Sequence, residues 1–266
     1  MSRLAGTNLR RHANRPGHPD AVTVVLIHGG GATARFWDRL LPYLDRRPLA
    51  VDLPGRGSRP ADLATLTVDQ EAASVAADIE GGTDDSAVTL VAHSSGGLVV
   101  PGVVAALGGR VGAIVLNAAL VPAEGGCGIE CMQERHRDGL RLAVAAAEKD
   151  GRSITLPGPP ADPEAFRHSY GAEPLDDATL AFVVDPARSV EDTVHHYFQP
   201  VHWSLAAGVP ITYVVNERDR PVRPEMQERM AKRLPEPVEV IRVDSGHLLP
   251  VTSPAVFAEI VNRVAV

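Results

Sequence analysis

Apolar residues along this chain fall into two kinds of run. Short unbroken stretches rich in Val and Ile occur at residues 23–27, 48–51, 88–92, 111–116, 211–215 and 238–243. Their length and β-branched content predict strands buried within a sheet. Between most of them, apolar positions recur at helical spacing, which predicts helices over residues 34–44, 68–79, 98–107, 224–234 and 254–264. Strand and helix alternate, so the expected fold class is α/β, a mostly parallel central sheet with helices on both faces. Pro101 falls inside the third of these helices, where it removes a backbone hydrogen bond and predicts a kink costing about 3 kcal/mol if nothing compensates.

One interval breaks the rhythm. From residue 122 to residue 208 no buried strand is expected, and amphipathic helical pieces are interrupted by Pro157-Gly158-Pro159-Pro160 and Asp162-Pro163. This division predicts a core of residues 1–121 and 209–266 and an inserted helical cap of residues 122–208. The cap holds Phe166, Tyr170, Phe182, Tyr197, Phe198 and Trp203, more than half of the chain's aromatic residues. Some should build the cap's own core and others a substrate pocket between cap and sheet. The pocket candidates are Phe36, Trp37, Tyr197, Phe198 and Trp203.

Composition narrows the function. Hydrophobic content of 44% and charged content of 22% are those of a globular protein. The net charge of −7, with no basic stripe to offset it, argues against a nucleic-acid partner. The first twenty residues carry Arg3, Arg10, Arg11 and Arg15 without the apolar centre of a secretory signal, and read as a loose lead-in. No stretch approaches the roughly 20 apolar residues of a membrane span. Cys127 and Cys131 stand four apart, which is not the Cys-x-x-Cys spacing of redox or metal sites, and read as reduced thiols. Together these features predict a cytoplasmic protein with a small-molecule substrate. An apolar cap surface could pair two chains as a homodimer.

The chemistry concentrates at strand ends. Val88-Thr89-Leu90-Val91-Ala92-His93-Ser94-Ser95-Gly96-Gly97 reads as a strand breaking sharply into a helix at Ser94, with small residues two positions either side. A serine on such a turn is exposed as a nucleophile. His28-Gly29-Gly30-Gly31 follows the first strand and can aim backbone N–H groups at one point, so the amides of Gly30 and Ser95 are the expected oxyanion donors. Asp219 follows the strand ending at Val215, and His247 lies on the loop after the last strand. A serine hydroxyl needs a base, which His247 can be near neutral pH, and Asp219 would orient its ring. Glu217 is the rival acid, nearer the strand.

Other polar residues read as structural. His93 should point away from Ser94 and pack, His28 should hold the glycine loop, and Asp52 should anchor the turn Asp52-Leu53-Pro54-Gly55-Arg56-Gly57. His195-His196 has no third ligand at metal spacing, so no zinc site is expected. No Gly-x-Gly-x-x-Gly loop opens a helix, and no nucleotide cofactor is implied.

From Val22 to Val264 these motifs resemble the α/β-hydrolase family. The shared signals are the strand before His28-Gly29, the Asp52–Gly57 turn, the elbow at Ser94, Asp219 after a strand, and Gly246-His247. The segments Val115-Leu116-Asn117-Ala118-Ala119-Leu120-Val121-Pro122 and Asp244-Ser245-Gly246-His247-Leu248-Leu249-Pro250 are similar to the branch of small-cap methylesterases and hydroxynitrile lyases. The resemblance implies hydrolysis of a small or medium apolar ester or lactone through an acyl-enzyme, without a cofactor. Lyase members of that branch carry a lysine after the catalytic histidine, where this chain has Leu248. A lyase or cyclase using the same triad, or a ligand-binding receptor, are the alternative readings. Ala92 stands where glycine is commoner in the elbow.

Overall fold

The computed structural model describes residues 22–171 and 175–265. The loose lead-in read for the first twenty residues lies outside the described residues. Six strands form one parallel sheet: β1 (Val22–Ile27), β2 (Arg47–Val51), β3 (Ala87–His93), β4 (Val111–Asn117), β7 (Ile211–Asn216) and β8 (Val238–Val243), in the order β2-β1-β3-β4-β7-β8. β1, β3, β4 and β7 are buried nearly throughout, which their continuous Val and Ile content requires. β2 and β8 are edge strands, and β8 is half exposed rather than buried as expected, with Glu239, Val240 and Arg242 facing outward. Glu239 and Arg242, three residues apart, fall on opposite faces, and β8 is exposed because it is the outermost strand, whereas the inner strands are buried on both faces.

Helices cover both sides. On one face α1 (Val68–Gly82) and α2 (Val100–Leu107) pack on the sheet, with α6 (Pro224–Ala231) behind β7. On the other, α7 (Leu249–Thr252) and α8 (Pro254–Val264) join the segment after β1. α1 begins with a capping box, in which the Thr67 side chain accepts from the Gln70 amide and the Gln70 side chain accepts from the Thr67 amide.

Two expected helices take another form. Residues 34–44 are not one helix but two 3-10 turns, Ala34–Trp37 and Leu41–Tyr43. Pro42 cannot donate a helical hydrogen bond, and Asp52 captures the Ala34 amide. Residues 94–98 form a 3-10 turn and α2 starts only at Val100, which places Pro101 in the helix's first turn. There its missing N–H would have no intrahelical partner, so the expected kink and its cost do not arise.

Between β4 and β7 lie α3 (Glu134–Lys149), α4 (Pro163–Tyr170) and α5 (Asp177–Val183). The segment is not wholly helical: β5 (Thr155–Leu156) and β6 (Asp192–Thr193) form a two-stranded antiparallel sheet. Ala32 bridges to Ser189, tying the loop after β1 to this segment. Among the described residues, no helix is long and apolar enough to cross a membrane.

Candidate active site

β1, β3, β7 and β8 all point their carboxyl ends at the same rim, where an open parallel sheet presents its loops. Ser94 leaves β3 with φ of 52°, a left-handed conformation that strains a non-glycine residue and is stored where a tight turn demands it. The turn is possible because Gly96 has no side chain: a Cβ there would stand 2.5 Å from the His28 carbonyl oxygen and 3.0 Å from that of Ile27. The elbow and the glycine loop after β1 therefore touch backbone to backbone.

Asp219 and His247 come from the loops after β7 and β8, and both are buried. His247 Nδ1 lies 2.6 Å from Asp219 Oδ2, and Asp219 Oδ1 accepts from the Val222 amide at 2.7 Å. With its proton on Nδ1 facing the carboxylate, the ring keeps Nε2 as its lone-pair nitrogen. Glu217, the rival acid, is exposed. Ser94 and His247 line one cavity of about 380 Å³, together with the Gly29–Gly31 backbone, Phe36 and residues from the segment between β4 and β7.

Two further histidines fix the loops. His28 accepts from the Leu53 amide at Nε2 and meets the Gly29 carbonyl at Nδ1, 2.8 Å away. Burial, with Arg56 nearby, pushes its pKa down to about 4. The unfolded chain takes up this proton below about 6.5 and the folded chain only below about 4, so stability is full above that window and falls as pH drops through it. The expected loss is about 3 kcal/mol by pH 4. Urea midpoints measured across this range should fall more steeply for the wild type than for His28→Gln.

His93 does more than pack. Its Nε2 donates to the His247 carbonyl at 2.9 Å, and its ring lies flat on Phe36 with centroids 4.8 Å apart. Burial, and then His247, hold its pKa well below the usual histidine value, so it stays neutral beside the second imidazole.

A model of the alpha/beta hydrolase family matches residues 24–260. The chain belongs to that family. It is 29% identical over 264 residues to lipase LipV of Mycobacterium tuberculosis, covering 94% of this chain and 96% of that one. A pimeloyl-[acyl-carrier protein] methyl ester esterase of Neisseria meningitidis is 40% identical over 94 residues, 34% of each chain. Among solved structures, an extracellular alpha/beta-hydrolase from a Paenibacillus species superposes with a TM-score of 0.74 at 20% identity, covering 92% of this chain and 99% of that one. Methylesterase MES16 from Arabidopsis does so with 0.66, also at 20% identity, covering 91% and 98%. These superpositions show that the chain shares the fold of those hydrolases.

This alpha/beta hydrolase corrects part of the expected pocket. Phe36 and Tyr197 line the cavity, but Trp37, Phe198 and Trp203 do not. Trp37 is fully buried in the core against Phe257, and Trp203 is buried in the core on the other side of the sheet, with Phe198 packed against it. Large rings near a sheet face gain more by full burial than by lining a partly wet cavity. Phe166, Tyr170, Phe182, Asp192 and Leu248 line the cavity instead.

The sequence reading missed a buried charged cluster beneath the glycine loop. Arg56 from the turn after β2 donates to Glu71 of α1 at 2.5 Å and to Asp192 of β6. His196 Nδ1 is 3.0 Å from Glu71 Oε2, and its Nε2 is 3.8 Å from Asp192 Oδ2. All four residues are at most 2% exposed. Burial opposes the charge on Arg56 and Glu71, but their partners prevail: the carboxylates raise the Arg56 pKa, and His196 and Arg56 lower that of Glu71. The adjacent His195-His196 pair was the available signal, and His196 is the member that contacts Glu71.

Proposed function

We propose that this alpha/beta hydrolase cleaves a small or medium apolar carboxylic ester or lactone through an acyl-enzyme. The observation that carries this reading is the buried 2.6 Å contact between His247 and Asp219 in a cavity shared with the strained Ser94. Ser94 attacks the carbonyl, His247 takes the serine proton and passes it to the leaving alcohol, and Asp219 orients the imidazole and stabilises its charged form. The amides of Gly30 and Ser95 receive the oxyanion. Water then repeats the sequence against the acyl-enzyme. The lipase and methyl ester esterase names of the relatives support ester chemistry. The apolar lining from Phe36, Phe166, Phe182 and Leu248 supports an apolar acyl or alcohol group. Two cysteines that do not pair with each other fit a cytoplasmic setting.

The test is stopped-flow release of p-nitrophenol from p-nitrophenyl butyrate. A burst equal to the enzyme concentration is expected, followed by slower turnover where deacylation limits the rate. Absence of hydrolysis of any p-nitrophenyl ester by folded protein would remove the proposal.

A further inference from the structure

Three oxygens crowd the face of Gly30 opposite its chain neighbours. A Cβ built on this residue would lie 2.5 Å from Asp192 Oδ2, 2.7 Å from Tyr197 Oη and 3.1 Å from Ser95 Oγ. Glycine at 30 is what lets them approach the residue whose amide is the proposed oxyanion donor. Asp192 Oδ2 and Ser95 Oγ are sealed from solvent. Tyr197 lines the cavity, and Asp192 Oδ2 takes no hydrogen bond from its hydroxyl. The Ser95 hydroxyl can donate to the phenolic oxygen, which leaves the phenol's own proton for an acceptor supplied by a ligand in the cavity.

Charge gives a second, independent reason. Asp192 Oδ1 is held by Arg56 and by the Thr193 amide at 2.9 Å, whereas Oδ2 has no hydrogen-bond partner, lies 3.8 Å from His196 Nε2 and faces Gly30. A negative oxygen developing at the Gly30 amide would form near this carboxylate, in surroundings where water screens little. Arg56 offsets the carboxylate from its far side. A donor on the cavity side is needed to offset it where the oxyanion forms.

We propose that the Tyr197 hydroxyl is a third donor to the oxyanion, beside the amides of Gly30 and Ser95. This rests on the hydrolase reading above. The proton stays on the phenol throughout: burial, reinforced by Asp192, pushes its pKa far above the usual tyrosine value, and Ser95 and Arg56 only partly offset this. Tyr197 thus stabilises charge by hydrogen bonding and transfers nothing.

Tyr197→Phe keeps the ring and removes the donor. With p-nitrophenyl butyrate as substrate, kcat should fall about 100-fold while KM changes little, the signature of a contact made in the transition state alone. A boronic acid that forms a tetrahedral adduct with Ser94 should lose affinity by a similar factor. Butyrate, a planar product, should bind as before. Thermal melting of the variant shows whether it folds, and the boronate-to-butyrate affinity ratio reads the donor in whatever fraction is folded. Turnover that depends on Ser94 yet is undiminished in Tyr197→Phe, or an unchanged affinity ratio, overturns this proposal alone. Turnover that survives Ser94→Ala overturns the hydrolase reading itself.

Discussion

Ser94→Ala is expected to lower kcat for p-nitrophenyl esters by a factor on the order of 10⁵ to 10⁶. The size follows from the interdependence of the groups. Without the serine oxygen, His247 has no nucleophile to activate, and its pairing with Asp219 does nothing for the reaction. What survives is binding in the cavity and the donors around Gly30, which are worth about 10³-fold over water in comparable sites. Fold stability should hardly change. Ser94 is half-buried at the cavity, and alanine meets the same cost at φ of 52°. Equal melting temperatures with the loss of turnover are therefore the expected pair of results. A folded variant with near-wild-type kcat would show that another group attacks the substrate.

Arg56→Met carries the largest expected effect on stability. The substitution conserves much of the side chain's bulk and leaves Glu71 and Asp192 buried without their shared cation. Breaking a buried pair in this way costs about 3–5 kcal/mol, because the remaining charges can neither reach water nor find a partner. For a chain of this size, that corresponds to a fall in Tm of about 10 °C. Acid gives a second readout. The folded pKa of Glu71 is depressed, so its contribution is present above the unfolded value of about 4.5 and lost as pH falls through the folded one. The variant has less of this contribution to lose. The gap between the two proteins, measured by urea unfolding, should narrow below about pH 4.5. Adding Glu71→Gln to Arg56→Met should recover part of the loss, since the residues share one network. A variant within about 1 kcal/mol of wild type at neutral pH would mean that solvent reaches the cluster.

The strands and the order Ser94, Asp219, His247 were legible in the sequence because each rests on a local rule. An apolar run of β-branched residues marks an inner strand, and the polar residues just beyond it mark the rim. Rules of this kind failed at the margins. β8 is half exposed because it is the edge of the sheet, and Pro101 lies in the first turn of a helix instead of interrupting one. The pocket was less legible. Whether Trp37 or Phe36 faces the cavity depends on the rotation of two 3-10 turns, which residue spacing does not encode. The charged cluster was least legible of all. Arg56, Glu71, Asp192 and His196 are scattered over 140 residues, and each one alone looks like a solvated surface group. Only the close approach of β6 to the turn after β2 and to α1 makes them partners.

The same cluster bears on how substrates are admitted. Asp192 and His196 belong to the segment that roofs the cavity, whereas Arg56 and Glu71 belong to the sheet's own turn and helix. Arg39 adds a tie on the outer side, donating to Thr179 at 2.7 Å. Lifting a roof held in this way as one piece would separate buried ion pairs, at a cost of about 3–5 kcal/mol for each partner left uncompensated. The proline-rich stretch Pro157–Pro160 and the Arg220-Pro221 loop also border the cavity under this roof. On the proposed reading, the room of about 380 Å³ beneath a tethered roof, and not only chemistry at Ser94, would then sort the substrates.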